Sequence, residues 1–91
     1  MPATEMHKTG HIATLRTADG TEYEVSITLH QELTVRWQRK DGTPAVLEHC
    51  EIHKMAPGER FCAVGHDRYA SEPYGVADSV RLVTEPVEVW L

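Results

Sequence analysis

Ninety-one residues with fourteen acidic and nine basic side chains make one small domain, residues 1–91, of formal charge −5. That length excludes an enzyme with separate cofactor and substrate lobes, and the acid excess argues against general nucleic-acid binding, which needs a basic surface. Leu, Ile, Val and Phe number nineteen, about 21% of the chain and just above the composition of disordered segments, so a fold with a lean core is expected.

Residues 1–9 carry no apolar h-region, and nowhere does an apolar run approach the roughly 20 residues of a membrane helix. The expectation is a flexible tail ahead of a soluble, cytoplasmic, bacterial-type domain. Two cysteines, Cys50 and Cys62, are too few for a disulfide scaffold. Six histidines are many, and protonating them all would carry the formal charge from −5 to +1.

The periodicity is that of strands. Residues 11–17 and 21–29 alternate around Ala18-Asp19-Gly20, a hairpin signal. A two-residue loop would oppose Leu15 to Glu24. A three-residue loop, a type I turn closed by Gly20 in a left-handed bulge, opposes Thr17 to Thr21, Leu15 to Tyr23, Ala13 to Val25 and His11 to Ile27. Arg16 then meets Glu22 and Thr14 meets Glu24 on the other face. One face becomes apolar, which selects the bulged turn.

The device recurs at Lys40-Asp41-Gly42, between residues 33–39 and 43–49. The same register pairs Trp37 with Ala45, Val35 with Leu47 and Leu33 with His49. Pro44 lacks an N–H, so the strand it opens should begin at a sheet edge. Thr28 to Leu33 has room for one helical turn.

Ala56-Pro57-Gly58-Glu59 suits a type II turn. The hairpin centred on it opposes Ile52 to Ala63 and Cys50 to Gly65, the opposite parity to Ala45 and Leu47. A bulge near His49-Cys50 reconciles the two. Residues 76–83 and 87–91 read as final strands separated by Thr84-Glu85-Pro86. Five to seven short strands with tight turns predict an all-β, small antiparallel barrel, SH3-like or Sm-like, with a strongly bent sheet or split-sheet roll as the alternative.

The skeleton of Val35-Arg36-Trp37-Gln38-Arg39-Lys40-Asp41-Gly42, then Glu59-Arg60-Phe61-Cys62-Ala63-Val64, then Val76-Ala77-Asp78-Ser79-Val80-Arg81-Leu82-Val83 resembles a WYL-type regulator domain over residues 33–83. The resemblance implies an Sm-like barrel that senses ligands or nucleic acid. The family's Trp-Tyr-Leu position is occupied here by Arg60-Phe61-Cys62, so its diagnostic motif is missing.

Candidate chemistry is sparse. His49, His53, Cys62 and His66 supply zinc-type ligands, and the centred hairpin opposes His53 to Cys62 and His49 to His66. Those pairs lie four residues apart, roughly 13 Å along a strand. Gathering all four would need a sharply folded backbone, so one buried cysteine among exposed histidines is the plainer expectation and a metal- or pH-responsive cluster is the alternative. No cofactor is implied. Neither a nucleophile elbow nor a phosphate loop is present, so an enzyme is not expected. Glu22, Glu24, Glu48, Glu51 and Glu88 alternate with apolar residues as wet strand faces do.

Residues 66–75 are longer than a hairpin needs and hold Tyr69 and Tyr74 with His66 and Arg68. Tyrosine and arginine favour binding surfaces. With Arg60 they form the expected contact set for a protein, peptide or small ligand, and the alternative is tyrosines lying over a barrel end. Val87, Val89 and Trp90 must close the barrel, the simpler outcome, or leave an edge for a homodimer. A non-catalytic interaction module, with accessory regulation as its role, is the functional expectation.

Overall fold

The bulged hairpins govern the first half of the chain in a computed structural model of the protein, which describes residues 10–68 and 79–90. Six strands are present: β1 (Gly10–Thr17), β2 (Glu22–Ile27), β3 (Leu33–Gln38), β4 (Pro44–Lys54), β5 (Arg60–Asp67) and β6 (Ser79–Trp90). Each pairs antiparallel with the next, and β6 pairs with β1, giving a closed all-β barrel with no helix among the described residues. This is the small Sm- or SH3-like architecture that the strand count and turn chemistry indicated. The expected flexible tail, residues 1–9, lies outside the described residues.

Three links share one backbone chemistry. Gly20 N–H donates to Thr17 O at 2.9 Å while Thr17 N–H donates to Thr21 O at 3.0 Å. Gly42 and Arg39 repeat the pattern with Arg39 O and Thr43 O. Gly20 and Gly42 have φ of 86° and 88°, the left-handed conformation that closes a type I turn into a bulge. Between β2 and β3, Gln31 N–H donates to Thr28 O and Thr28 N–H to Glu32 O, both at 2.9 Å. The helical turn expected there is thus a third bulged turn, with Gln31 at φ 63° in the glycine position.

The predicted registers hold until bulges displace them. Leu15 faces Tyr23 and Ala13 faces Val25, but an irregularity between His11 and Ala13 moves Ile27 opposite Gly10. Trp37 faces Ala45 and Val35 faces Leu47, and Leu33 then faces Cys50 rather than His49. His49 takes φ 54°, so the bulge expected from the parity change sits at this residue. Ile52 faces Ala63 as expected, and Gly58 at φ 81° fits the type II turn.

The last expected break is absent. Residues 84–86 lie inside one continuous β6, because the extra residue is absorbed as a bulge of β6, where Thr84 and Glu85 oppose Phe61 alone. Thr84 turns inward there, and its hydroxyl accepts the buried Phe61 N–H at 3.1 Å. That bond satisfies a donor that the ladder would otherwise leave orphaned.

Ala13, Leu15, Tyr23, Val25, Val35, Phe61, Ala63 and Val87 form the core. Tyr23 anchors it, with ring centroids 5.4 Å from Trp37 and 6.3 Å from Phe61, both tilted. Such geometries suit aromatic quadrupoles. Three rings at the centre explain how so few aliphatic residues fill a barrel.

Candidate functional site: a trough on the outer face

The alternation that sends Val35 and Leu47 into the core sends Thr34 and Val46 outward. Yet both are 5% exposed, as hidden as core residues. Outward-facing residues become buried where the sheet surface is concave, and two grooves run there. One, about 510 Å³, is lined by residues that include Thr14, Glu24, Arg36, Trp37, Val46 and Arg68. The other, about 300 Å³, includes His11, Glu24, Ser26, Thr34 and Arg36. Glu24 and Arg36 line both, so the grooves meet at this pair.

Register explains the meeting point. Thr14 faces Glu24 on β1–β2, Glu24 faces Arg36 on β2–β3, and Arg36 faces Val46 on β3–β4. These four form one row across the outer face. Val46 and Thr34 form the floors, and Arg36, exposed, forms the shared wall with Glu24. Pro44 opens β4 opposite Gln38, and β5 reaches β4 only from Leu47 onward. The edge expected beside Pro44 is one wall of the larger groove.

Arg68 fixes the end of β5 against this wall. Its backbone N–H donates to Val46 O at 3.0 Å, and Nη2 donates to Glu48 Oε2 at 2.8 Å. That charge-assisted bond holds the Glu48 carboxyl below its usual range. Among the expected contact residues that the structure describes, Arg68 alone lines the trough. His66 is exposed one turn of the pleat away, its ring 6.1 Å from that of His49. Arg60 opens β5, six residues and roughly 20 Å from His66; it donates to Thr84 O at 3.0 Å and faces Glu85 at 3.8 Å. Tyr69 and Tyr74 lie outside the described residues.

The His/Cys quartet is not assembled as the centred hairpin requires. Glu48, not His49, faces His66, and Lys54, not His53, faces Cys62. The bulges on β4 each insert one residue and so rotate the histidines out of register. His49 Nδ1 instead meets Glu32 Oε2 at 2.9 Å, and His53 lies near Glu51. No group of three or more His, Cys, Asp or Glu is placed to hold a metal among the described residues.

The final strand takes the simpler of its two expected outcomes. Val87, Val89 and Trp90 face Thr17, Arg16 and Leu15 of β1 and close the barrel. Val87 is buried at 2%, so it serves the core and offers no interface.

The trough is not legible in the sequence, where Glu24, Arg36 and Thr14 look like an ordinary wet strand face. One signal was available. Ala45-Val46-Leu47 is an apolar run that breaks the alternation, as strands buried on both faces do. No family model matches the chain, and no curated protein or solved structure matches it either.

Proposed function

We propose that the protein is a non-catalytic binding module whose outer trough holds an extended peptide segment of a partner protein. The single observation that carries this reading is the pair of grooves joined at Glu24 and Arg36 over the buried outward floors Val46 and Thr34. Grooves of this size suit small ligands or a few residues of a peptide. Arg36 forms no ion pair among the described residues and stands beside Glu24, so the wall offers a donor and an acceptor side by side. A peptide backbone or an alternately charged segment satisfies both. Val46 and the half-buried Trp37 supply the apolar contact that excludes water.

The test starts from short peptides selected against the folded domain from a random display library. Amide shift mapping with a selected peptide is expected to perturb Thr14, Glu24, Arg36 and Val46. Arg36→Glu is expected to weaken binding about tenfold or more without changing the melting temperature. Selection of no binder, or shifts confined to other strands, would overturn the reading.

A further inference from the structure

The short seam that closes the barrel leaves half of β6 with one neighbour among the described residues. β1 meets β6 over Leu15–Thr17, and Ala18 N–H adds a bond to Pro86 O at 3.0 Å. Residues 79–83 pair with β5 on one side, and no described strand lies on the other. Val80 and Val83 are 38% and 49% exposed. Val83 lies opposite Cys62 and Arg81 opposite Val64, and both face outward because Phe61 and Ala63, which alternate with Cys62 and Val64 along β5, are buried. Arg81 is exposed and forms no ion pair among the described residues. An open edge carrying exposed valines is a template for another strand.

We infer that this edge pairs antiparallel with the same edge of a second copy of the chain, about a two-fold axis at Val83. Charge decides the register. Pairings that keep both outer faces on one side of the joined sheet must centre on a residue. Centring on Arg81 sets Arg81 against itself, which repels. Centring on Leu82 sets Arg81 against the valine side chain of Val83. Centring on Val83 sets Arg81 opposite Glu85 twice by symmetry, with Val83 against Val83. Glu85 is free to respond, since its contact with Arg60 is loose at 3.8 Å and solvent-exposed.

The bulge at Thr84 bends the strand, and Pro86 O is already taken by Ala18. Pairing is therefore limited to residues 81–85 of each copy, and association is weak and concentration-dependent. An isologous contact of this kind closes at two copies, because the edge it uses is consumed. This inference stands apart from the trough, which lies on β1 to β4.

Sedimentation from micromolar to millimolar chain tests it. The mass is expected to rise from 10.3 kDa toward twice that value. Val83→Lys is expected to keep the chain monomeric throughout with an unchanged circular dichroism spectrum. Arg81→Glu and Glu85→Arg are each expected to weaken association about tenfold, and the two together to restore it. If Val83→Lys fails to fold, Val83→Cys in a Cys62→Ser background decides, with a disulfide-linked dimer expected on mild oxidation. A chain that stays at 10.3 kDa up to millimolar concentration overturns the inference. So does a dimer indifferent to the charge exchange, or one that the introduced thiol fails to cross-link.

Discussion

Gly65 sits directly against the thiol of Cys50: a methyl group built at Gly65 would lie 2.7 Å from Cys50 Sγ. It would also lie 3.0 Å from Glu48 O and 3.2 Å from Leu47 Cβ. β4 and β5 thus approach too closely at the β4 bulge for any side chain on β5. Gly65→Ala is expected to cost about 1–3 kcal/mol, the range of overpacked cores. In a Cys50→Ala background the cost should shrink but persist, because the Glu48 and Leu47 contacts remain. Urea unfolding of the four chains measures this coupling, and equal costs in both backgrounds would refute it.

Thr84 holds the second bulge. Its hydroxyl accepts the Phe61 N–H and donates to Glu85 O at 2.7 Å. Thr84→Val keeps the shape and orphans a buried donor, an expected loss of about 1–3 kcal/mol. Thr84→Ser should retain most of the stability. Protection of the Phe61 amide in hydrogen exchange is expected to fall in the valine variant alone.

Gln31 occupies a left-handed position that glycine fills in the two sister turns. The side chain there is strained, roughly 1–2 kcal/mol for an L-residue, while glycine costs more chain entropy on folding. Gln31→Gly is expected to gain about 0.5–1 kcal/mol, read as a higher melting temperature. The converse change, Gly20→Ala, should destabilise, since φ is 86° at that site.

Burial raises the Cys50 thiol above its ordinary value of 9.0. The folded chain therefore binds a proton that the unfolded chain has released at alkaline pH. Stability linked to this group is full below pH 9.0 and falls as pH rises through the raised value. Cys50→Ala should flatten the alkaline arm of the stability profile. Alkylation of Cys50 in native protein should be slow and accelerate on unfolding.

Asp19 and Asp41 behave oppositely. Asp19 accepts from the Thr17 hydroxyl and the Thr21 N–H, and Asp41 from the Thr43 hydroxyl and N–H. These donors hold both carboxyls below the ordinary value of 3.8. Their contribution is present above pH 3.8 and is lost as pH falls through the depressed values. Asp19→Ala and Asp41→Ala should each lower the melting temperature at neutral pH and less so in acid.

Much of the barrel was legible because turn chemistry and period-two patterning are local. Asp-Gly fixed the two bulged hairpins, and the parity conflict between Leu47 and Ile52 located the bulge at His49. Local rules could not show that Gln31 would take a glycine's role, since its φ is imposed by β2 and β3 on either side. Nor could they show that Thr84 turns inward rather than ending a strand, because its partner, Phe61, is 23 residues away. The trough depended on curvature, which belongs to the whole sheet.

The sequence by itself determined an all-β domain, its first two hairpins, the inward faces and an acidic surface on the wet ones. Each follows from contacts between residues close in the chain. Only the tertiary structure decided where the barrel closes, which half of β6 has a single neighbour among the described residues, and that Arg36 and Glu24 stand together above a buried floor. Closure and curvature depend on the register summed over six strands, and each one-residue bulge shifts every side chain beyond it.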